Sequence, residues 1–368
     1  MDKVCVFCGK QPVSKTNEHV LPQWLIELTG NPKRLAHFGL DFNKVKPEQR
    51  SYSFDSFKFP ACNFCNATFS ELESLANPIM SKMLSNEAIS ASEIITLLDW
   101  FDKVRIGLWL AYYYLDKNPA GIEPNFYIAQ RIRLYDRMVL ICRADTASKM
   151  LSFVGCDSPI FSLLPSCFCL VVNHLVFLNI SYHFLFSRRF GFPYPKASYL
   201  QPKGNNTVEM KFVHGRQRIM RPLLKKPFSL QGTELYQPIF PSPDKDASIY
   251  KLYNNAYVKE HSLDWERGLG KVYYKKGEGY SVYPDDYVFQ WIPKEKYLLY
   301  ELCFQAQLMT FEWQLELEKI SPSLANLNDN ERREQRELRQ IGTLYNKKLI
   351  NILIQKSKEA NISPAWPI

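Results

Sequence analysis

Two cysteine motifs near the amino terminus, CVFC at residues 5–8 and CNFCN at residues 62–66, carry the strongest signal in the sequence. The chain has nine cysteines in 368 residues. At that frequency, chance gives about 0.2 Cys-x-x-Cys pairs in the whole chain. Each motif is a tight turn that points two thiolates at one ion, and two such turns complete a tetrahedral zinc site. The spacing therefore predicts a structural zinc ion that closes a long loop, held by Cys5, Cys8, Cys62 and Cys65.

A carboxylate, an imidazole and an amide accompany these motifs. Glu18 and His19 lie between the two cysteine pairs, and Asn66 follows the last cysteine. An imidazole with a pKa near neutrality can take a proton from water, and oxygen ligands can hold a hard divalent cation. Because adjacent residues on a strand point to opposite faces, Glu18 and His19 can serve one site only at a bend or strand end. Pro22 and the helix predicted after it favour such a bend.

The segment SKTNEHVLPQW, followed by CNFCN and a helix, resembles the HNH endonucleases, which are also called ββα-metal or His-Me finger nucleases. It is most similar to the zinc-containing branch with a treble-clef scaffold, and the resemblance covers about residues 3–80. The family pattern is an acidic residue, a histidine, an aliphatic residue and a nearby proline, with an asparagine directly after the second cysteine pair. The matching residues are Glu18, His19, Val20, Pro22 and Asn66.

The resemblance implies a metal-dependent endonuclease that leaves a 5′-phosphate and a 3′-hydroxyl. His19 would be the general base, and Glu18 and Asn66 would hold a catalytic Mg²⁺ or Mn²⁺. The sequence departs from the family at two points. Glu18 stands where aspartate is more usual, and no histidine or lysine follows Asn66 closely, so Glu71 or Glu73 is the candidate third ligand.

The net charge of +9 is concentrated in one segment. Residues 187–230 contain ten Lys and Arg against the single acid Glu209, so this segment alone nets +9. A local excess of this kind is typical of a polyanion-binding surface, but it also fits a solvated loop. With the resemblance, it favours nucleic acid as the partner, DNA over RNA. The predicted contacts are Arg188, Arg189, Lys211, Arg216, Arg218, Arg221, Lys225 and Lys226.

The composition, with 46% hydrophobic and 23% charged residues, is that of an ordinary globular protein. The length predicts two or three domains, and the pattern of helices and strands predicts an α+β fold. The predicted units are an HNH domain at 1–85, a helix with a β-rich region at 86–292, and helices at 293–368. The first residues lack the apolar core of a signal peptide, and the free thiols favour a reducing cytoplasm. The apolar run 161–186 fits a buried hairpin better than a membrane span. The five cysteines that we expect in the core are Cys142, Cys156, Cys167, Cys169 and Cys303.

Local patterns predict several elements. A short helix follows Pro22 and ends at Gly30. Residues 50–59 fit a strand or the arm of a hairpin, and a helix after Cys65 buries Leu72 and Leu75 with an interruption near Pro78. A helix runs from a capping box at Ser90–Glu93 to Leu115, and its predicted inward face carries apolar residues from Ile94 to Trp109. The remaining predictions are strands at 137–145 and 168–180 with a turn at Asn173-His174, and helices at 296–319 and 328–360.

These observations favour an endonuclease, and the resemblance suggests bacterial anti-phage defence as its setting. The alternative is a non-catalytic zinc-binding adaptor that holds nucleic acid or protein. In that case the C-terminal helices would recruit a partner protein or a second copy of the chain. The histidines other than His19 have no partner spacing and fit structural roles, and His37 is the only one of them inside the N-terminal unit.

Overall fold

The computed structural model describes residues 4–41, 48–115, 124–185, 193–204, 207–218, 228–239, 270–277, 279–285 and 291–359. The helices are α1 (Gln23–Leu28), α2 (Asn63–Leu84), α3 (Ala91–Leu115), α4 (Pro159–Leu163), α5 (Leu299–Lys319) and α6 (Asp329–Glu359). The strands are β1 (Lys15–His19), β2 (Leu35–Asp41), β3 (Glu48–Ser53), β4 (Lys58–Cys62), β5 (Asp136–Ala144), β6 (Leu151–Val154), β7 (Cys167–Val172), β8 (Leu175–Tyr182), β9 (Pro193–Gly204), β10 (Thr207–Arg218), β11 (Thr233–Gln237), β12 (Tyr273–Lys276), β13 (Gly279–Val282) and β14 (Lys296–Tyr297). The mixture of helices with mainly antiparallel sheet confirms the α+β prediction.

A two-stranded sheet and a long helix form the N-terminal unit. Strand β1 pairs antiparallel with β4, and the register places Glu18 opposite Phe59 and Lys15 opposite Cys62. Helix α2 begins at Asn63, directly after β4, so the second cysteine motif lies at the joint between strand and helix. Helix α1 begins after Pro22, as predicted, and the residues that end it, Thr29 and Gly30, donate hydrogen bonds to helix carbonyls.

Most residues of helix α3 are buried. Its start confirms the predicted capping box: the backbone N–H of Glu93 donates to Ser90 Oγ at 3.3 Å, and the N–H of Ser90 donates to Glu93 Oε2 at 2.7 Å. The predicted inward residues from Ile94 to Trp109 are buried. Four charged side chains of this helix are buried as well: Asp99, Asp102, Lys103 and Arg105.

The largest sheet separates two hydrophobic cores. It contains eight strands, in the order β13-β12-β11-β5-β8-β7-β6, with β14 pairing parallel to β5. Because strand side chains alternate between faces, Val139 and Phe177 pack with α3 and the N-terminal unit, whereas Leu140 and Cys169 pack with α5. The turn between β7 and β8 falls at Asn173, whose φ of +54° is left-handed, as the Asn-His prediction requires.

Helices α5 and α6 close the second face. Asn346 of α6 donates to Gln314 Oε1 of α5 at 2.8 Å, and Gln314 donates to the carbonyl of Cys167 on β7 at 2.9 Å. Both helices agree with the predicted segments within a few residues. No helix in the described part of the chain combines the length and apolarity that crossing a membrane requires.

Two local predictions are wrong. Residues 50–59 form the end of β3, a 3₁₀ turn at Phe54–Ser56 and the start of β4, because Phe54 and Phe57 turn inward onto Phe153. Leu75 is exposed, since the buried stripe of α2 is Ala76, Ile79, Met80 and Met83, and the helix continues through Pro78. The predicted domain limits stay a prediction, and one hydrophobic core joins the N-terminal unit to α3 and the sheet.

Candidate metal centre and active site

The four cysteines of the two motifs converge. All their Sγ atoms lie within 4.8 Å of one another, and Cys62 Sγ is 3.6 Å from Cys5 Sγ and 3.9 Å from Cys8 Sγ. A tetrahedral zinc ion with Zn–S bonds of about 2.3 Å separates its sulfurs by about 3.8 Å. The cluster geometry is therefore compatible with structural zinc.

Backbone hydrogen bonds hold the first cysteine motif in a closed turn. The N–H of Gly9 donates to the carbonyl of Cys5 at 2.8 Å, and the N–H of Cys5 donates to the carbonyl of Lys10 at 2.9 Å. Gly9 has a φ of +73°, and a Cβ at this position would lie 2.2 Å from the ring of Tyr127. Only glycine fits this turn without strain. The stacked rings of Phe7 and Phe69, 4.1 Å apart, join the motif to α2.

The thiols are placed to share one ion. A hydrogen bond from the Cys65 thiol lowers the pKa of Cys62 to about 7. Burial raises the pKa of Cys5 and of Cys65. Zinc binding requires thiolates and therefore releases protons. Cys5 and Cys65, whose pKa values burial raises, are therefore thiols near neutral pH without an ion, and loading the ion displaces their protons.

Glu18 lies in a buried ion-pair cluster. Its side chain is 7% exposed, and its Oε1 accepts a hydrogen bond from Lys103 Nζ of α3 at 2.5 Å. Lys103, which is fully buried, also donates to Glu73 Oε1 of α2 and to the backbone carbonyl of His19 at 3.3 Å. Burial raises the pKa of Glu73, while the Lys103 ammonium opposes that shift. The fold thus brings Glu18 and Glu73 together around one ammonium group.

The imidazole of His19 contacts a different residue from the carboxylate of Glu18, although Lys103 also reaches the His19 backbone. Its Nε2 lies 3.8 Å from Asp55 Oδ1, and Asp55 in turn pairs with Lys58 at 3.4 Å. That Nε2 atom is buried and has no hydrogen-bond partner among the described residues. Burial lowers the pKa of His19, the nearby Lys58 lowers it further, and Asp55 opposes both. At neutral pH the imidazole is therefore mainly neutral, which is the protonation state of a base.

Asn66 lies on the first turn of α2, beside β1. Its Nδ2 donates to Thr16 Oγ1 at 3.3 Å. Thr16 and Glu18 are two residues apart on β1 and point to the same face of the strand, so Asn66 contacts the face that also carries Glu18. Its Oδ1 is buried, and no described residue donates a hydrogen bond to it. It is one of seventeen such buried atoms among the described residues, and a water, an ion or a ligand group can satisfy an atom of this kind.

Glu73, rather than Glu71, is the acidic residue of α2 next to Glu18. Glu71 is exposed, and its carboxylate makes no hydrogen bond or ion pair with any part of the chain that the structure describes. Glu73 is 17% exposed and shares Lys103 with Glu18. A cation bound by Glu18 and Asn66 would therefore find Glu73 as its nearest additional carboxylate.

Within the basic segment, the described residues 193–204 and 207–218 form a hairpin of β9 and β10. Its described contact with the rest of the chain is at Ser323, which bonds to the backbone of Ser198 at 2.9 Å and of Leu200 at 2.8 Å. Three of the predicted nucleic-acid contacts lie on β10: Lys211, Arg216 and Arg218. The other five lie outside the described residues: Arg188, Arg189, Arg221, Lys225 and Lys226. Their role in binding stays a prediction.

Lys103 and Asp55 are the site residues that sequence patterns did not indicate. The signal for Lys103 was a group of charged residues inside an otherwise apolar helix. Two neighbours of Lys103 fix α3 to the sheet: Arg105 pairs with Asp102 at 2.7 Å and donates to Asn179 of β8 at 2.7 Å. This buried network fixes the position of Lys103 beside β1.

Of the other cysteines, Cys142, Cys156, Cys167 and Cys169 are buried and Cys303 is partly buried, as expected for core residues. His37 is hydrogen-bonded through Nδ1 to Ser51 Oγ at 3.0 Å and shares no described contact with Glu18 or Asn66.

Comparisons of the chain with protein families, with curated proteins and with solved structures found no match.

Proposed function

We propose that the N-terminal unit is an HNH-type, metal-dependent endonuclease built on a zinc-stabilised treble clef. The order of elements supports this proposal: β1 carries Glu18 and His19, β4 pairs with it, and α2 follows with Asn66 in its first turn. The four-cysteine cluster brings the turn before β1 next to the joint between β4 and α2.

One observation carries the proposal. His19 Nε2 and Asn66 Oδ1, the two atoms that the mechanism would use, are buried without a hydrogen-bond partner among the described residues. Both are on the ββα unit, on which the sequence pattern also places them. Seventeen buried side-chain atoms of the described residues lack a hydrogen-bond partner, and His174 Nε2 is one of them, so these two atoms support the proposal because the sequence pattern selects the same two residues.

Glu18, Asn66 and Glu73 would hold a divalent cation, Mg²⁺ or Mn²⁺, whose oxygen-ligand preference fits two carboxylates and an amide. Such a cation neutralises charge on the scissile phosphate and on the leaving oxygen. His19 would take a proton from the attacking water. Asp55, 3.8 Å from His19 Nε2, would stabilise the imidazolium that this transfer produces. The basic hairpin of β9 and β10 would hold the phosphate backbone through charge.

A second candidate function rests on Lys103. The ammonium already offsets part of the negative charge of Glu18 and Glu73 and holds the two carboxylates together without any divalent cation. This favours the alternative of a zinc-binding adaptor that holds nucleic acid or a partner protein and does not cut. The anti-phage setting, in either case, stays a prediction.

A cleavage assay separates the two functions. Zinc-loaded protein is incubated with supercoiled plasmid and, separately, with structured RNA, in Mg²⁺, in Mn²⁺ and in buffer without a divalent cation. His19→Ala is the test variant, and His174→Ala is the matched control, because His174 is also partly buried with a pKa lowered by burial but lies in the β7–β8 turn. The nuclease proposal expects cleavage that needs a divalent cation and is lost only in His19→Ala. Equal cleavage by both variants would refute it.

A further inference from the structure

Lys103 fills the position between two carboxylates that a cation would otherwise occupy. Its side chain is fully buried, and its three acceptors are Glu18 Oε1, Glu73 Oε1 and the backbone carbonyl of His19. An ammonium group has three donors, so every one of them is used. A buried lysine is costly unless it is paired and hydrogen-bonded, which explains why this lysine needs the whole cluster.

The charges of the cluster do not balance. Two carboxylates and one ammonium leave a net charge of −1, with Glu73 only 17% exposed and Glu18 7% exposed. Without Lys103, two adjacent buried carboxylates would repel each other. The second oxygen of each carboxylate accepts no hydrogen bond from the described residues, so each retains a free ligand atom.

We propose that Lys103 is an internal substitute for the divalent cation. It holds Glu18 and Glu73 together in the metal-free protein and opposes binding of the cation that the same carboxylates would accept. This inference rests on the proposed function only in taking Glu18 and Glu73 as ligands of that cation. Lys103 acts through the two carboxylates and is a positioning residue, with no contact to substrate required.

The direction of the effect follows from linkage. A divalent cation that binds Glu18 and Glu73 must weaken their attraction to Lys103, because the two positive charges repel at short range. Coupling between two sites is reciprocal, so the part of the Lys103 stabilisation that is lost on binding of the cation is subtracted from the affinity for the cation. Removing the lysine charge should therefore raise the affinity and lower the stability of the metal-free protein.

The test is Lys103→Met, which keeps much of the side-chain length and removes the charge. The matched control is Lys82→Met: Lys82 also pairs with a glutamate across α2 and α3, at 2.5 Å from Glu93, but makes no contact with Glu18. Binding of Mn²⁺ to the zinc-loaded proteins is measured by the electron paramagnetic resonance signal of free Mn²⁺. The melting temperature is measured with and without Mn²⁺.

Lys103→Met is expected to bind Mn²⁺ tighter than wild type by a factor on the order of ten or more, from the loss of one unit charge at close range. Its melting temperature should be lower than that of wild type without Mn²⁺ and should rise more on addition of Mn²⁺. Lys82→Met should match wild type in Mn²⁺ affinity. Equal or weaker Mn²⁺ binding by Lys103→Met, or a variant that stays unfolded at saturating Mn²⁺, would overturn the proposal.

A second variant distinguishes charge from packing. Lys103→Met combined with Glu73→Gln restores the net charge of −1, and it should fold without Mn²⁺ and lose the gain in affinity. If the double variant kept the high affinity, the gain would not come from the carboxylate pair. These readouts are independent of cleavage. Tighter Mn²⁺ binding by Lys103→Met with no cleavage by any variant would support this inference and refute the nuclease. Unchanged Mn²⁺ binding by Lys103→Met together with cleavage that is lost in His19→Ala would refute this inference and support the nuclease.

Discussion

Removing the second cysteine motif is predicted to unfold the N-terminal unit while the large sheet survives. The perturbation is Cys62→Ser with Cys65→Ser. Cys8 and Cys62 are 54 residues apart in sequence. A cross-link that closes a loop of this length stabilises a fold by about 4 kcal/mol in the chain-entropy treatment. The whole free energy of unfolding of a typical domain is about 5–15 kcal/mol, so this loss is a large part of it.

Hydrogen exchange, followed by mass spectrometry, is the assay because it resolves the unit from the sheet. Amides of α2 should exchange about a thousandfold faster in the double variant, since every 1.4 kcal/mol is about tenfold. Amides of β8 should keep their protection, because β8 lies between two strands in the sheet and packs on both cores. Cys303→Ser is the control and should change neither set. If the amides of α2 exchanged as slowly in the double variant as in the zinc-loaded wild type, the reasoning would be refuted.

The remaining predictions concern a helix cap and the basic segment. Burial opposes ionisation of Glu93, but hydrogen bonds from Lys82 and Ser90 outweigh it and lower its pKa. Glu93→Gln should therefore destabilise the protein at pH 7 by about 0.5–1 kcal/mol, and the difference in melting temperature should vanish as the pH falls below the pKa of Glu93 in the folded state. Replacing Arg216, Arg218 and Arg221 by Ala should make nucleic-acid binding less salt-dependent, by about 0.9 in the log–log slope for each phosphate that is no longer neutralised. Fluorescence anisotropy across a salt series measures this slope, and an unchanged slope would reject a role for these residues.

Much of the fold follows from local patterns. The capping box at Ser90 and Glu93, the Asn173-His174 turn and the periodic apolar residues of α3 each depend on residues close together in sequence, and each was predicted correctly. The convergence of the four cysteines was also predictable, although the two motifs are far apart, because a closed metal site imposes its own geometry.

What the sequence did not predict depends on packing between distant segments. The 3₁₀ turn at Phe54–Ser56 forms because Phe57 packs against Phe153, almost a hundred positions further on. Lys103 reaches Glu18 across 85 positions, and no periodicity of α3 distinguishes a lysine buried in an ion pair from one on a solvated face. The sequence also left Glu71 and Glu73 as alternatives, because only the position of α3 shows that Glu73 is the one that pairs with Lys103.

We propose that the ββα unit cuts phosphodiester bonds with His19 as the base. The single-turnover cleavage rate of His19→Ala is compared with that of wild type, at equal zinc content and saturating Mg²⁺ or Mn²⁺. Loss of a general base lowers the rate by about 10²–10⁴-fold, so His19→Ala should cleave more slowly by a factor in that range while its fold is retained. Cleavage by His19→Ala at the wild-type rate would show that His19 is not the base.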